Sequence, residues 1–479
     1  MFVNREEEFA FLDSVLERNR PGQGQFILLF GRRRIGKTSL LLRWTGQQDI
    51  PNTYWAAEKE PAVLQRRKLY ARLLAVRVGQ APIFDSWAEL WEAAAAYLGD
   101  QRHILILDET PYASEADPAM LSALQHAWDH YFKNSRLLLI LCGSQVRVME
   151  TLQSQQSPLF GRLTGQWHLQ PLPFSSLATF FPDWSAEERF TAYAMIGGVP
   201  AYLEWLDPAL SLAENIRQIV LAPGYMFLAE PTFLLYDEVR EPQSYLAVLN
   251  AIGAGHHTLD AISNACLISK SHLSSYLARL QALRFVERRL PATLTPAQQR
   301  RSNRGRYHLN DPYFRFYFRF LAPHQDRLPF DPAPALGQLD KELRAFVGQT
   351  AFEELCRLWT FQQGKKGHLP FAPEQVGSHW SHRVQVDVVA VNWQSRDILL
   401  GECKWGQKKV GRAVVKELIA RKQDKVKLDL TSTGKPWRFH FILFAQAELT
   451  TGAQNVAEEN NVLVVDLPRL DQDLGKKLS

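Results

Sequence analysis

The sequence predicts a multidomain α/β protein, and three observations carry that prediction. Short apolar strands alternate with helices through the first 170 residues, the pattern of a parallel sheet covered on both faces. Helical patterns take over from about residue 171. Strands return after about residue 340, two of them apolar except for a few charges. A chain of 479 residues suits about three or four domains. Hydrophobic residues at 46% and charged ones at 22% exclude a disordered chain. No apolar run approaches the roughly 18 residues that span a bilayer, and the start, with Glu6, Glu7 and Glu8, has no apolar signal core. Cys142, Cys266, Cys356 and Cys403 are too scattered for a zinc site or a disulfide framework. A cytoplasmic protein without membrane contact is the expectation.

In chain order, Phe26–Phe30 reads as a strand, Thr38–Trp44 as a helix and Thr53–Ala57 as a second strand. Ser86–Leu98 puts Trp87, Leu90, Trp91 and Ala94 on one helical face. Ile104–Leu107 and Leu137–Cys142 are buried strands, with a helix over Pro118–Phe132 between them. Pro171, Pro173 and Pro182 mark the transition to helices, and Ile196-Gly197-Gly198-Val199-Pro200 interrupts one. Later come a helix over Gly348–Leu358, strands over Arg383–Val391 and Asp397–Lys404, and a basic helix over Ala413–Lys422. Strands over Arg438–Phe444 and Asn461–Val465 follow.

Gly31-Arg32-Arg33-Arg34-Ile35-Gly36-Lys37-Thr38 matches G-x-x-x-x-G-K-[ST], between a strand and a helix as a phosphate-binding loop requires. Two glycines let backbone N–H groups curl around a phosphate at a helix N-terminus. These eight residues and Ser39 are the candidate ATP-binding set. Lys37 is suited to the β- and γ-phosphates and Thr38 to Mg²⁺. Asp108, ending the strand Ile104–Leu107, is the partner for nucleotide and Mg²⁺. Glu109 is the candidate base for the attacking water. Ser144 and Gln145, at the tip of a neighbouring strand, are candidates for touching the γ-phosphate or the water, and Arg162 for an arginine finger.

Together with Pro158-Leu159-Phe160-Gly161-Arg162 and Gly197-Gly198-Val199-Pro200, these motifs resemble the archaeal-type ATPases, among the signal-transduction ATPases with numerous domains. The resemblance covers roughly residues 1–235. It implies a phosphate-loop (P-loop) parallel-sheet ATPase core over 1–170, with an extra strand between the phosphate-loop strand and the Asp108 strand. It implies a helical lid over 171–240, and a nucleotide-dependent switch that is able to self-assemble. The opening Val3-Asn4-Arg5-Glu6-Glu7-Glu8-Phe9 is similar to the family's, which implies Arg5 and Glu8 near the nucleotide.

Residues 241–310 read as a winged helix. Helices over Tyr245–Gly253, Thr258–Cys266 (Thr258 as N-cap) and Ser269–Leu283 precede a hairpin of Phe285–Leu290 with Arg306–Leu309. Lys270, Ser271, His272, Ser274 and Ser275 are expected to be exposed early on the third helix. Arg300, Arg301, Arg304 and Arg306 fall within seven residues that hold no acid. Such a module contacts DNA or packs internally.

In the last region, 311–479, the two-residue strand period puts Glu402 and Lys404 on one face. If Val391 pairs with Ile398, Asp387 lies opposite Glu402. Carboxylates beside an ammonium in apolar strands suit phosphodiester cleavage with Mg²⁺ or Mn²⁺. From Gly401 to His440, eleven Lys and Arg against four acids leave a net of +7, suited to a phosphate backbone. Asp387, Glu402 and Lys404 resemble the PD-(D/E)XK nuclease signature, with Val386 in place of its proline. That resemblance implies a restriction-endonuclease-like α/β domain in which Asp387, Glu402 and Glu353 hold the metal, Glu354 being the alternative to Glu353. The stretch also resembles the domain of unknown function that follows archaeal-type ATPases. The expected whole is an ATP-hydrolysing switch coupled to a metal-dependent DNA-binding and DNA-cleaving domain. The other reading is a scaffold ATPase whose inactive nuclease-like domain only binds DNA or a protein.

Overall fold

The computed structural model describes residues 2–236, 238–239, 241–430 and 435–476. Runs of fully buried residues form the three inner strands of its first sheet, β1 (Gln25–Phe30), β3 (His103–Asp108) and β4 (Leu137–Gly143), and the less buried β2 (Asn52–Ala56) and β5 (Gly165–His168) are its edges. All pairings are parallel and the order is β2-β3-β4-β1-β5. The extra strand between β1 and β3 is β4. Alternation along the strands decides which face each side chain serves. Phe26, Leu28, Leu105, Leu107 and Leu139 pack with Trp87, Leu90 and Trp91. Ile27, Leu29, Ile104, Ile106 and Ile140 pack on the other face with Leu12, Leu40 and Trp44. Because the strands are parallel, the loops after β1, β3 and β4 open at one edge, where ligands bind in such sheets.

The chain divides into two compact units, 1–172 with 199–202, and 173–198 with 203–479. The second begins with helical segments, among them Ala186–Ile196, started by a Ser185–Glu188 capping box. Helices Pro242–Gly253, Leu259–Cys266 and Lys270–Ala282 follow, then the antiparallel pair β6 (Val286–Arg289) and β7 (Arg306–Leu309). Thr258 accepts a hydrogen bond from the Ala261 N–H, the expected N-cap.

A second five-stranded sheet closes the chain: β8 (Gln375–Trp380), β9 (Gln385–Asn392), β10 (Asp397–Lys404), β11 (Arg438–Ala445) and β12 (Val462–Asp466), in the order β12-β11-β10-β9-β8. The β8-β9-β10 pairings are antiparallel and the β10-β11-β12 pairings parallel. Cys356 and Trp359 cover one face over Val388, Ala390, Leu399 and Phe444. Leu418 and Val426 cover the other over Val389, Val391, Ile398 and Leu400. Several expected bounds shift. The helix expected over 348–358 is a π turn, Gly348–Phe352, continued by Glu353–Lys365, and the basic helix runs from Arg412 through a π turn to Asp429. The helix expected over 118–132 likewise ends in a π turn, Trp128–Phe132. Among the described residues no helix is long and apolar enough to cross a membrane.

Candidate functional site

Close packing and two left-handed residues shape the loop after β1. A Cβ on Gly31 would stand 2.6 Å from the Leu169 carbonyl oxygen, and Gly36, which caps the helix Lys37–Thr45, has φ +90°. Lys37 is buried and folds over the loop, its Nζ donating to the Gly31 (2.9 Å) and Arg32 (3.2 Å) carbonyls. Arg5 braces the loop from outside, donating to the carbonyls of Ile35 and Gln170 at 3.0 Å each and to Glu8 at 2.9 Å. Burial lowers the Arg5 pKa, and Glu8 opposes that effect. Arg33 donates to the Tyr112 hydroxyl (2.6 Å) and Arg32 to the Tyr202 hydroxyl (3.1 Å). Arg34 (φ +65°), Thr38 and Ser39 are exposed.

β3 ends beside this loop. Thr38 Oγ1 donates to Asp108 Oδ2 at 2.8 Å, and the Tyr54 hydroxyl donates to the same oxygen at 2.7 Å. Burial, then the hydrogen bond to Asp108, pushes the Tyr54 pKa up. A hydroxyl and a carboxylate side by side are the hard oxygen donors that Mg²⁺ takes, so the residues present fit that ion. Glu109 follows with φ +47°, a left-handed conformation uncommon for a non-glycine residue. Its Oε2 accepts from Ser144 Oγ (2.8 Å) and the Ser144 N–H (3.1 Å), so β3 and β4 meet through these side chains. Gln145 precedes the helix Val146–Thr151 as its cap residue.

Arg162 is not at this edge. It pairs with Asp129, with Nη2 to Oδ2 at 2.7 Å, and donates to the Pro158 and Phe160 carbonyls. Thr164 pairs with Phe26 at the opposite end of β1 from the loop. Five strand residues at about 3.3 Å each separate the two ends. An arginine finger on the nucleotide of the same chain is therefore not met, because the guanidinium serves a surface ion pair.

In the second sheet Val391 does pair with Ile398, and the ladder runs on to Val388 and Gly401. Between the pairs Gly377–Val389 and His379–Val386, β9 has one residue more than β8, so Asp387 and Val388 form a bulge opposite Ser378. A bulge re-aims side chains, and Asp387 Oδ2 accepts from the Cys403 N–H at 3.0 Å. Glu402 Oε1 accepts from Lys404 Nζ at 2.8 Å, and its Oε2 accepts from Lys422. Glu353, on the covering helix, accepts from Arg357 Nη1 (3.2 Å), which also donates to the Asp387 carbonyl (2.9 Å). Burial, then repulsion from Asp387, raises the Glu353 pKa to about 8. Burial and Glu402 raise that of Asp387.

The three carboxylates expected to share a metal lie near enough to repel one another, Glu353 with Asp387 and Asp387 with Glu402, but each is taken by other partners. Among the described residues no group of three His, Cys, Asp or Glu could hold an ion. Glu353 turns onto Arg357, and Glu402 lies between two ammonium groups. Glu354, the alternative, is not a ligand either. Arg315 grips it with two bonds, 2.7 and 2.8 Å, and Arg289 joins them, so it ties β6 and residues 312–316 to the helix. These arginines hold its carboxyl far below the usual range despite burial.

Lys270, Ser271, His272, Ser274 and Ser275 are exposed on the third helix, as are Arg300, Arg301 and Arg304 before β7. Pro296–Arg301 forms a short helix of its own.

The family model of an ATPase domain predominantly from Archaea matches residues 2–206. That of archaeal and bacterial proteins of unknown function matches residues 317–417. An uncharacterized protein of Methanocaldococcus jannaschii is 32% identical over 409 residues, 85% of this chain and 88% of that one. The chain belongs to the archaeal-type ATPases. An uncharacterized ATP-binding protein of the same organism is 42% identical over 50 residues, 10% of this ATPase and 80% of that protein. Among solved structures, a Walker-type ATPase of Pyrococcus abyssi is 19% identical with a TM-score of 0.47, covering 66% of this chain and 96% of that one. The ORC2 protein of Aeropyrum pernix, in ADPNP and ADP complexes, is 14% identical with a TM-score of 0.45, covering 72% and 95%.

Sequence reasoning missed four residues of this ATPase: Tyr54 on Asp108, Tyr202 on Arg32, Arg357 on Glu353 and Lys422 on Glu402. The i, i+4 spacing of Glu353 and Arg357 was the one available signal. The other three partners lie 20 or more residues apart, and no local pattern joins them.

Proposed function

We propose that this ATPase is an ATP-hydrolysing switch whose second unit engages DNA and carries a nuclease-like site. The observation that carries the reading is the Thr38–Asp108 contact beside a Glu109 held by Ser144. ATP phosphates would draw Lys37 away from the Gly31 and Arg32 carbonyls while the amides at the start of the helix Lys37–Thr45 wrap the anion. Thr38 and Asp108 would hold Mg²⁺, which when bound neutralises charge developing on the phosphates. Glu109 would release Ser144 and take the proton of the attacking water.

The switch part is supported by Tyr202. The phosphate-loop residue Arg32 donates to it, and the chain on either side of 199–202 belongs to the second unit. A nucleotide that moves Arg32 thereby acts on a segment continuous with that unit. Contact with DNA is supported by three helices and a hairpin in winged-helix order, with exposed cations on the third helix and before β7. Cleavage is supported by Asp387, Glu402 and Lys404. Lys404 would stabilise charge on a phosphate, and the raised pKa of Asp387 suits a proton acceptor.

A second reading, a DNA-binding domain that does not cut, is favoured by one observation: both Glu402 oxygens are taken by lysines. Plasmid and oligonucleotide cleavage with Mg²⁺ or Mn²⁺, with and without ATP, decides between the two. Loss of ATP hydrolysis in Lys37→Ala tests the switch itself.

A further inference from the structure

Trp380 ends β8 with its Nε1 donating to the Arg304 carbonyl at 3.0 Å, and Arg306 lies over its ring, guanidinium carbon 4.9 Å from the centroid. These contacts join the hairpin loop to the C-terminal sheet. Beside them is an open cleft of roughly 710 Å³. Arg288, Arg304, Arg306 and His382 line it with the rings of Tyr307 and Trp380, and among the described residues Asp260 is the sole carboxylate of the lining. Two of these cations are held in place. Arg288 Nη2 donates to the Ser302 carbonyl at 2.6 Å, and Arg306 donates to Gln385 at 3.4 Å while stacked on the indole. That part of the wall, Arg288 with Arg306 on Trp380, is therefore largely preformed and loses little side-chain entropy on binding.

From this we infer that the cleft binds single-stranded nucleic acid, with phosphates on its arginines and a base stacked on Tyr307 or on the Arg306 guanidinium that Trp380 backs. This rests on the DNA-binding reading above and specifies the ligand of one part of that surface. Three features choose a single strand. The volume is that of a small-ligand site, enough for a nucleotide or two and far too small for a duplex. A positive groove interleaved with rings and guanidinium planes is the general design for unpaired bases. Gln385, which Arg306 touches, lies two residues before Asp387 on β9, so a strand leaving the cleft along β9 passes the acidic site.

The test uses the full chain, a fluorescein-labelled single-stranded 12-mer as DNA and as RNA, and the DNA duplex of the same sequence. Arg306→Gln is expected to weaken single-strand binding about tenfold. His382→Ala, at an exposed position where folding is safe, should weaken it several-fold. Both should leave duplex affinity within twofold of wild type. Equal binding of the DNA and RNA strands indicates recognition of backbone and base faces, and a preference for one names the natural ligand. Duplex binding with single-strand affinity untouched by either variant overturns the inference and leaves the DNA-binding reading standing. No binding of any nucleic acid overturns both. If both variants lower duplex and single-strand affinity alike, the arginine belongs to a general cationic face and the cleft is not a separate site.

Discussion

Glu109 Oε2 accepts two hydrogen bonds from Ser144, one from the hydroxyl at 2.8 Å and one from the backbone N–H at 3.1 Å. The carboxylate proposed to activate water is thereby restrained by the tip of the neighbouring strand. It also sits on a left-handed residue, which fixes its direction.

Glu109→Gln is expected to keep ATP affinity and lower turnover about 10²- to 10⁴-fold, the usual size of general-base catalysis. Ser144→Ala removes one restraint, a hydrogen bond to a charged group worth about 1.5–3 kcal/mol. It should raise basal turnover several-fold. Nucleotide affinity and steady-state hydrolysis are the measurements. A fall in turnover for Ser144→Ala would make Ser144 a helper of the base rather than its restraint.

Tyr202→Phe should leave ATP hydrolysis within a few-fold of wild type, since Tyr202 touches Arg32 rather than the residues around Asp108. It should weaken the effect of ATP on DNA affinity. Comparing DNA binding with and without ATP measures this, and an unchanged ATP effect would remove Tyr202 from the coupling.

The inner strands of the first sheet were legible because both faces are covered there, so they are continuous apolar runs such as Leu137–Cys142. The β9–β10 register was legible too, since Val391 and Ile398 flank a short loop. What stayed hidden depends on distant partners or weak patterns. β5 (Gly165–His168) and β8 (Gln375–Trp380) are edge strands with mixed side chains, and edges need no apolar alternation. Arg162 was misplaced because an arginine's partner is invisible in a single sequence, and Asp129 claimed it. The lysine partners of the expected metal set stayed hidden for a related reason. The strand period put Glu402 near Asp387, but nothing local announced that Lys422 would reach the same carboxylate.

Glu353 and Glu354 are adjacent and titrate in opposite senses. The folded-state pKa of Glu353 is raised to about 8 by burial and Asp387, with Arg357 opposing. Between the ordinary carboxylate range and about pH 8 the folded state therefore holds more protons than the unfolded one, and stability falls as pH rises through that window. Asp387 shares this slope because the two acids interact. Glu353→Gln should flatten it and raise the melting temperature at pH 9 more than at pH 5. Glu354 is depressed, so its contribution is present above the ordinary range and lost as pH falls below it. Glu354→Gln would leave Arg289 and Arg315 without their shared anion and should cost about 3–5 kcal/mol at neutral pH. Thermal melts across pH check both.

The exposed cations before β7 give a salt test. Arg300→Ala with Arg301→Ala should flatten the log–log salt dependence of duplex binding by about 0.9 for each phosphate no longer neutralised. An unchanged slope would mean that these arginines do not meet DNA.

Cleavage is the prediction most exposed to refutation. Asp387→Ala and Glu402→Ala should each abolish strand cleavage while leaving ATP hydrolysis intact, because the phosphate loop lies in the other unit. Lys404→Ala should lower the cleavage rate and keep DNA binding, since its ammonium, half-exposed beside Glu402, is the group proposed to stabilise charge on a phosphate. Lys422 is the discriminating position. It is more buried than Lys404 and occupies the second Glu402 oxygen. If that contact is a removable restraint, Lys422→Ala frees the carboxylate and increases cleavage at a given Mn²⁺ concentration. If the lysine–glutamate–lysine arrangement is structural, the same variant strands a largely buried charge and lowers the melting temperature, with no cleavage at any metal concentration. The first outcome is the expected one. The second, with DNA binding intact, would establish the domain as a DNA-binding scaffold.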